Sequence, residues 1–204
     1  MKKILVPSLI ALALGSASGL AQAQAAAPES SLSFNVGAVS DYRYRGLSQS
    51  RLQPALQGGM DYADKSGVYV GVWGSGIKWV KDAGGKSNTE VDYYGGYKFS
   101  IGEVAYDVGF LHYDYSGNAL AVSANTNELY GAVTMGPTTL KYSQTTGNLF
   151  GFADSKGSSY VDLTANFDLG NGFSLVPHVG YQKLKGAANA DGSYTDYSLT
   201  VSKD

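Results

Sequence analysis

The chain of 204 residues has no cysteine, five prolines and two histidines. Without cysteine there is no disulfide framework, no thiolate nucleophile, no sulfur-bound zinc and no lipoprotein anchor. Charge is also scarce: 16% of residues are Asp, Glu, Lys or Arg, against an ordinary ~25%. The net charge of −2 argues against a nucleic-acid partner. No Gly-x-Ser-x-Gly turn, phosphate loop or zinc motif occurs, so neither a cofactor nor a metal is expected. Beyond the N-terminus no apolar run approaches a membrane helix, and no helical period competes with the pattern described next.

Glycine (27) and tyrosine (16) are abundant, and tyrosine outnumbers phenylalanine (7). That balance suits surfaces where rings meet water at one end. Residues 1–25 read as a signal peptide: Lys2 and Lys3, then an apolar stretch from Ile4 to Leu14, then Ala21-Gln22-Ala23 and Ala23-Gln24-Ala25 as cleavage candidates. The apolar stretch is too short to anchor in a bilayer. Residues 26–204 are then one exported domain.

From residue 32 onward ten segments alternate apolar and polar residues: 32–45, 53–63, 68–77, 89–99, 104–114, 126–135, 138–145, 159–169, 173–183 and 194–202. Period-two alternation indicates strands. One face of each is expected to carry no charge, as in Val91, Tyr93, Gly95, Tyr97, Phe99. Connections alternate in length. Short turns fall at Asp64–Gly67, Ser100–Glu103, Gly136-Pro137 and Gly170–Gly172. Longer loops fall at Gly46–Leu52, Lys78–Asn88, Tyr115–Asn125, Thr146–Ser158 and Leu184–Ser193. Pro177 cannot donate to a ladder, which predicts a local disturbance there.

The expected fold is an all-β, antiparallel, up-and-down transmembrane β-barrel with about ten strands visible. A soluble barrel with its apolar face inward is the alternative. The polar face weighs against it, being poor in Lys and Glu, whereas a charge-free outer band is what lipid requires.

The segment Ser40-Asp41-Tyr42-Arg43-Tyr44-Arg45-Gly46-Leu47-Ser48-Gln49 resembles the N-terminal signature of the TorF family of proteobacterial porins. The similarity continues through Gln53–Gly59, Gly67–Ser75 and Glu90–Tyr97, and covers most of residues 26–204. It implies an outer-membrane barrel with a pore and names no solute. Such barrels end on a strand with a terminal aromatic, whereas this chain stops at Val201-Ser202-Lys203-Asp204. Lys203-Asp204 reads as the start of a turn, so a further hairpin and twelve strands are expected in the complete protein.

The candidate interior residues are Asp41, Arg43, Arg45, Asp61, Glu90, Asp92, Lys98, Asp107, Glu128, Lys141 and Asp162. Asp41, Arg43 and Arg45 share one parity at the outer end of the first strand. They are read as a charge-selecting constriction or as a salt-bridge network stiffening a narrow wall. With Asp196 included, eight acidic residues face four basic ones, which predicts a weak preference for cations. His178, with Asp162, Asn166 and Ser174 on the same face, makes a hydrolase conceivable, although no enzyme is expected. The expected activity is passive diffusion of small solutes or ions across the outer membrane. A non-conducting structural or adhesive barrel is the other reading.

Overall fold

A computed structural model describes residues 30–204; the expected signal peptide lies outside the described residues. Among the described residues the chain is all-β and antiparallel, with two helical turns, α1 (Trp79–Asp82) and α2 (Asn189–Gly192). The strands are β1 (Ser31–Val39), β2 (Arg43–Tyr44), β3 (Leu47–Ser48), β4 (Ala55–Ala63), β5 (Val68–Gly76), β6 (Thr89–Ile101) and β7 (Val104–Asp114). They continue with β8 (Thr126–Met135), β9 (Thr138–Thr145), β10 (Ser159–Ala165), β11 (Phe167–Gly170), β12 (Phe173–Lys183) and β13 (Tyr194–Lys203).

Eleven of these form one sheet in which each long strand pairs with its neighbour in sequence, from β1 against β4 to β12 against β13. β2 and β3 form a separate small hairpin. β10 and β11 are two halves of one interrupted strand, since both pair with β12. The expected disturbance at Pro177 is there. β10 pairs with β12 as far as Thr164 opposite His178, and β11 resumes at Phe167 opposite Leu175. Pro177 faces the gap, and the Asn166 N–H donates instead to Pro137 O at 2.8 Å. On its other side Pro177 stays in an unbroken ladder opposite Leu199.

The polar face is concave, because side chains on strands that do not pair still touch across it. Tyr69 on β5 and Tyr130 on β8 share a hydrogen bond between their phenols. Among the described residues, β1 and β13 are edges that do not pair with each other, and β11 pairs on one side only, with β12.

Two expectations need correction. The first strand ends at Val39, not at residue 45, so Asp41, Arg43 and Arg45 sit in a long connection rather than on one strand face. The outer face is also not wholly free of charge. Asp114, Lys183 and Lys203 share its parity, each at the last position of its strand, where a charge can reach water.

Candidate functional site

The concave face is built from tyrosines resting on glycines. Tyr69 lies opposite Gly96, Tyr94 opposite Gly71, and Tyr130 opposite Gly109. A β-carbon added at Gly96 would lie 2.5 Å from the Tyr69 Oη, and one at Gly109 would lie 2.5 Å from the Tyr130 Oη. Each ring therefore occupies the space a side chain would fill, as happens where an aromatic covers a glycine across two strands.

The phenols serve the acids. Tyr69 donates to Asp107 Oδ1 at 2.7 Å and Tyr94 to Asp61 Oδ1 at 2.5 Å. Tyr160 donates to Asp196 Oδ2 at 2.9 Å. Glu90, deeply buried, accepts from Tyr42 and Tyr115, each at 2.6 Å. Asp92 is equally buried, yet its Oδ1 has no hydrogen-bond partner among the described residues. It shares a buried face of β6 with Glu90, two residues away.

The loop end is closed by aromatic rings. Phe150, in the 146–158 connection, packs edge-to-face on Tyr44, Trp79, Tyr113 and Tyr115 at centroid distances of 5.1 to 6.4 Å. Its N–H donates to Thr126 Oγ1 at 2.8 Å. Edge-to-face packing suits the ring quadrupoles. Val39, Ile77, Val80 and Ala124 complete this small core.

The β2–β3 hairpin enters beneath it. Its turn is Arg45-Gly46, with φ of 47° and 78°. Two positive φ values in a two-residue turn are the type I′ form, which matches strand twist but normally takes Asn or Gly first. An arginine there stores on the order of 1–3 kcal/mol, tolerated only when its surroundings hold it. They do. Arg45 is buried, pairs with Glu128 Oε2 at 2.8 Å and donates to Gln182 Oε1 at 2.9 Å. Its guanidinium lies 4.3 Å from the Tyr160 ring centroid and 4.9 Å from that of Tyr44. Burial is the largest single influence and opposes its charge, but the Glu128 carboxylate together with the Tyr44 and Tyr113 phenols outweighs it and holds the guanidinium pKa well above its ordinary value. Burial, reinforced by the charges of Glu90 and Asp92, pushes the Tyr42 phenol well up.

The expected constriction trio is thus split. Arg45 is inside; Arg43 is exposed and pairs with Asp41 at 2.8 Å. Burial pushes the Asp41 carboxyl up, but the Ser48 and Ser50 hydroxyls and Arg43 pull it net below its usual range. Asp61, Glu90, Asp92, Asp107, Glu128, Lys141 and Asp162 lie on the concave face as expected. Lys141 sits 4.1 Å from the Tyr130 ring centroid. Lys98 shares the parity but is exposed near the turn end, 4.8 Å from the Tyr69 centroid.

The residues around His178 do not assemble a serine triad. His178 Nε2 is 3.0 Å from Asp162 Oδ2 and 3.3 Å from the Tyr160 Oη, and Nδ1 is 3.6 Å from Asp196 Oδ1. The Ser174 hydroxyl instead shares a 2.6 Å hydrogen bond with Ser202. Sequence reasoning missed Tyr42, Tyr44, Gln182 and Phe150. Gln182 was open to discovery, since it lies on the polar parity of its strand. Phe150 carried no signal, because loop packing has no period.

A family model described as a bacterial protein of unknown function (Gcw_chp) matches residues 22–204. No curated protein matches, and no solved structure matches.

Proposed function

The chain belongs to that bacterial family of unknown function, and from this premise we propose that it is an outer-membrane β-barrel forming a narrow pore for small solutes or ions. One observation carries the reading: the fold is inside out. Phe34 and Val36 are 71% and 86% exposed, while Glu90, Asp92 and Glu128 are 2%, 3% and 2% exposed. A soluble sheet would not turn this much apolar surface to water and hide its carboxylates. In a bilayer the convex face meets hydrocarbon and the acids face an interior that water can enter.

Two bands of outward rings support it. Tyr97, Phe99 and Tyr106 stack near the turn end, and Tyr93 stacks on His112 towards the loop end. Girdles of this kind mark membrane interfaces in barrels. Insertion also requires that the free edges of β1 and β13 find hydrogen-bond partners, since lipid supplies none. The resemblance to TorF-type porins points the same way.

Acidic residues outnumber basic ones on the concave face, so the pore should prefer cations. The test is conductance of the refolded protein in planar bilayers. Discrete, weakly cation-selective steps are expected; silence at every voltage would reject a pore. The filled concave face favours one other reading, a non-conducting barrel whose loops bind partners. Silence together with stable insertion would support it.

A further inference from the structure

The Arg45 side chain that holds the β2–β3 turn in place also pairs with the Glu128 carboxylate beneath it. We propose that this turn is the gate of the pore, that Arg45 is its latch, and that Glu128 has two roles: it holds the latch closed and selects cations once the latch leaves. The inference rests on the pore reading above.

The turn belongs to the 40–54 connection between β1 and β4, yet Arg45 reaches across the concave face to Glu128 on β8 and Gln182 on β12. It is therefore a brace between one wall and the opposite one. Gly46 follows it in: a β-carbon built there would lie 2.6 Å from Asp196 Cβ on β13. Only glycine fits that approach, and only a turn with both φ values positive brings Arg45 and Gly46 to it together.

The seat is specific, but the tether is slight. The β2–β3 hairpin has two residue pairs, Arg43 with Ser48 and Tyr44 with Leu47, and neither strand joins the main sheet. The element is held by side-chain contacts, Tyr44 against Tyr113 and Phe150 and Arg45 on Glu128, and by the flanking Gln49 O, which accepts from the Lys78 and Trp79 N–H groups at 2.8 and 3.2 Å; no sheet ladder fixes it. The strained φ at Arg45 adds to the tendency to leave.

The charges explain what opening does. With Arg45 seated, Glu128 is paired. Asp92, whose Oδ1 has no hydrogen-bond partner among the described residues, shares one buried face of β6 with Glu90 two residues away, and Glu128 is buried on the same concave side from β8. When Arg45 withdraws, the one cation paired with these three acids among the described residues goes with it. Water enters and the layer becomes an acidic constriction, which favours cations.

The chain has no cysteine, so a lock can be introduced cleanly. In Gly46→Cys/Asp196→Cys, a disulfide needs β-carbons about 3.5–4.5 Å apart, so the turn must back off by roughly 1 Å. Single-channel recording would compare wild type, Arg45→Ala, Glu128→Gln and the double-cysteine protein, oxidised and reduced. Wild type should open rarely and briefly. Arg45→Ala should raise the fraction of time open at least tenfold and keep cation selectivity. Glu128→Gln should raise it comparably but with weaker selectivity. The oxidised pair should be silent, and reductant should release openings at least as frequent as those of wild type, because a side chain at position 46 loosens the closed seat. An open fraction in Arg45→Ala no higher than wild type overturns the gate, as does conduction through the oxidised lock or failure of the cysteines to cross-link. Equal selectivity in Arg45→Ala and Glu128→Gln overturns the second role of Glu128. If wild type opens and the variants do not differ from it, the gate falls and the pore stands. If nothing conducts, both fall.

Discussion

The Arg45 guanidinium meets the Glu128 carboxylate at 2.8 Å across the concave face, with both side chains almost wholly excluded from solvent. One comes from a two-residue turn and the other from the wall. Glu128 also accepts a 3.1 Å hydrogen bond from Tyr113. Removing only the acid, as in Glu128→Ala, should destabilise the protein by about 3–5 kcal/mol if the turn stays buried. Removing both partners, as in Arg45→Met/Glu128→Leu, should cost much less. Denaturant unfolding in detergent measures both, and equal losses would show that the pair is not coupled.

Neighbouring residues on β1 give a sharper test of which side meets lipid. Asn35 and Val36 point to opposite faces, and both are exposed. Val36→Arg should cost roughly 2–4 kcal/mol in a bilayer. Asn35→Arg, on the polar side, should cost under about 1 kcal/mol. Equal tolerance of both, measured by folding into vesicles, would contradict the inside-out reading.

Glycine under tyrosine should resist substitution. Gly109→Ala would drive a methyl group into Tyr130, and overpacking of this kind costs about 1–3 kcal/mol. Gly131, on the convex face with open space where a β-carbon would go, should accept alanine within about 0.5 kcal/mol. Thermal unfolding of the two variants side by side makes the comparison.

The turn between β4 and β5 should weaken in acid. The Ser66 hydroxyl and N–H, with the Ser30 hydroxyl, hold the Asp64 carboxyl down from 3.8 to about 2. A depressed folded pKa stabilises fully above the unfolded value and is lost as pH falls through the folded one. The loss should therefore run from about pH 4 down to about pH 2. In Asp64→Asn that part of the pH dependence should vanish; an unchanged acid profile would remove Asp64 as its cause.

The long strands were legible because burial here is one-sided, and a one-sided strand writes its geometry into every second residue. Val91, Tyr93, Gly95 and Tyr97 could be assigned to one face with no other information. Residues 40–45 deceived for the same reason: Asp41, Tyr42, Arg43, Tyr44 and Arg45 alternate as a strand does. The strand is already broken by a bend at Ser40-Asp41, and the chain then doubles back at Arg45-Gly46. A residue followed by glycine between two alternating runs is a recognisable hairpin signal, though arginine is an unusual first member. The destination of that hairpin was not legible. It depends on Glu128 and Gln182, which lie 83 and 137 residues further along the chain, and no local pattern encodes such a distance.

The paired tyrosines and glycines also bear on how the strands find their alignment during assembly. Alternation forbids a slip of one residue, because apolar and polar faces would exchange. It does not forbid a slip of two. Between β5 and β6, Tyr69 faces Gly96 while Gly71 faces Tyr94. A two-residue slip in one direction would set Tyr69 against Tyr94, ring against ring, and in the other would set Tyr69 against Lys98. The glycines thus act as keyways, and a wall whose hydropathy tolerates several alignments is cut so that one of them seats.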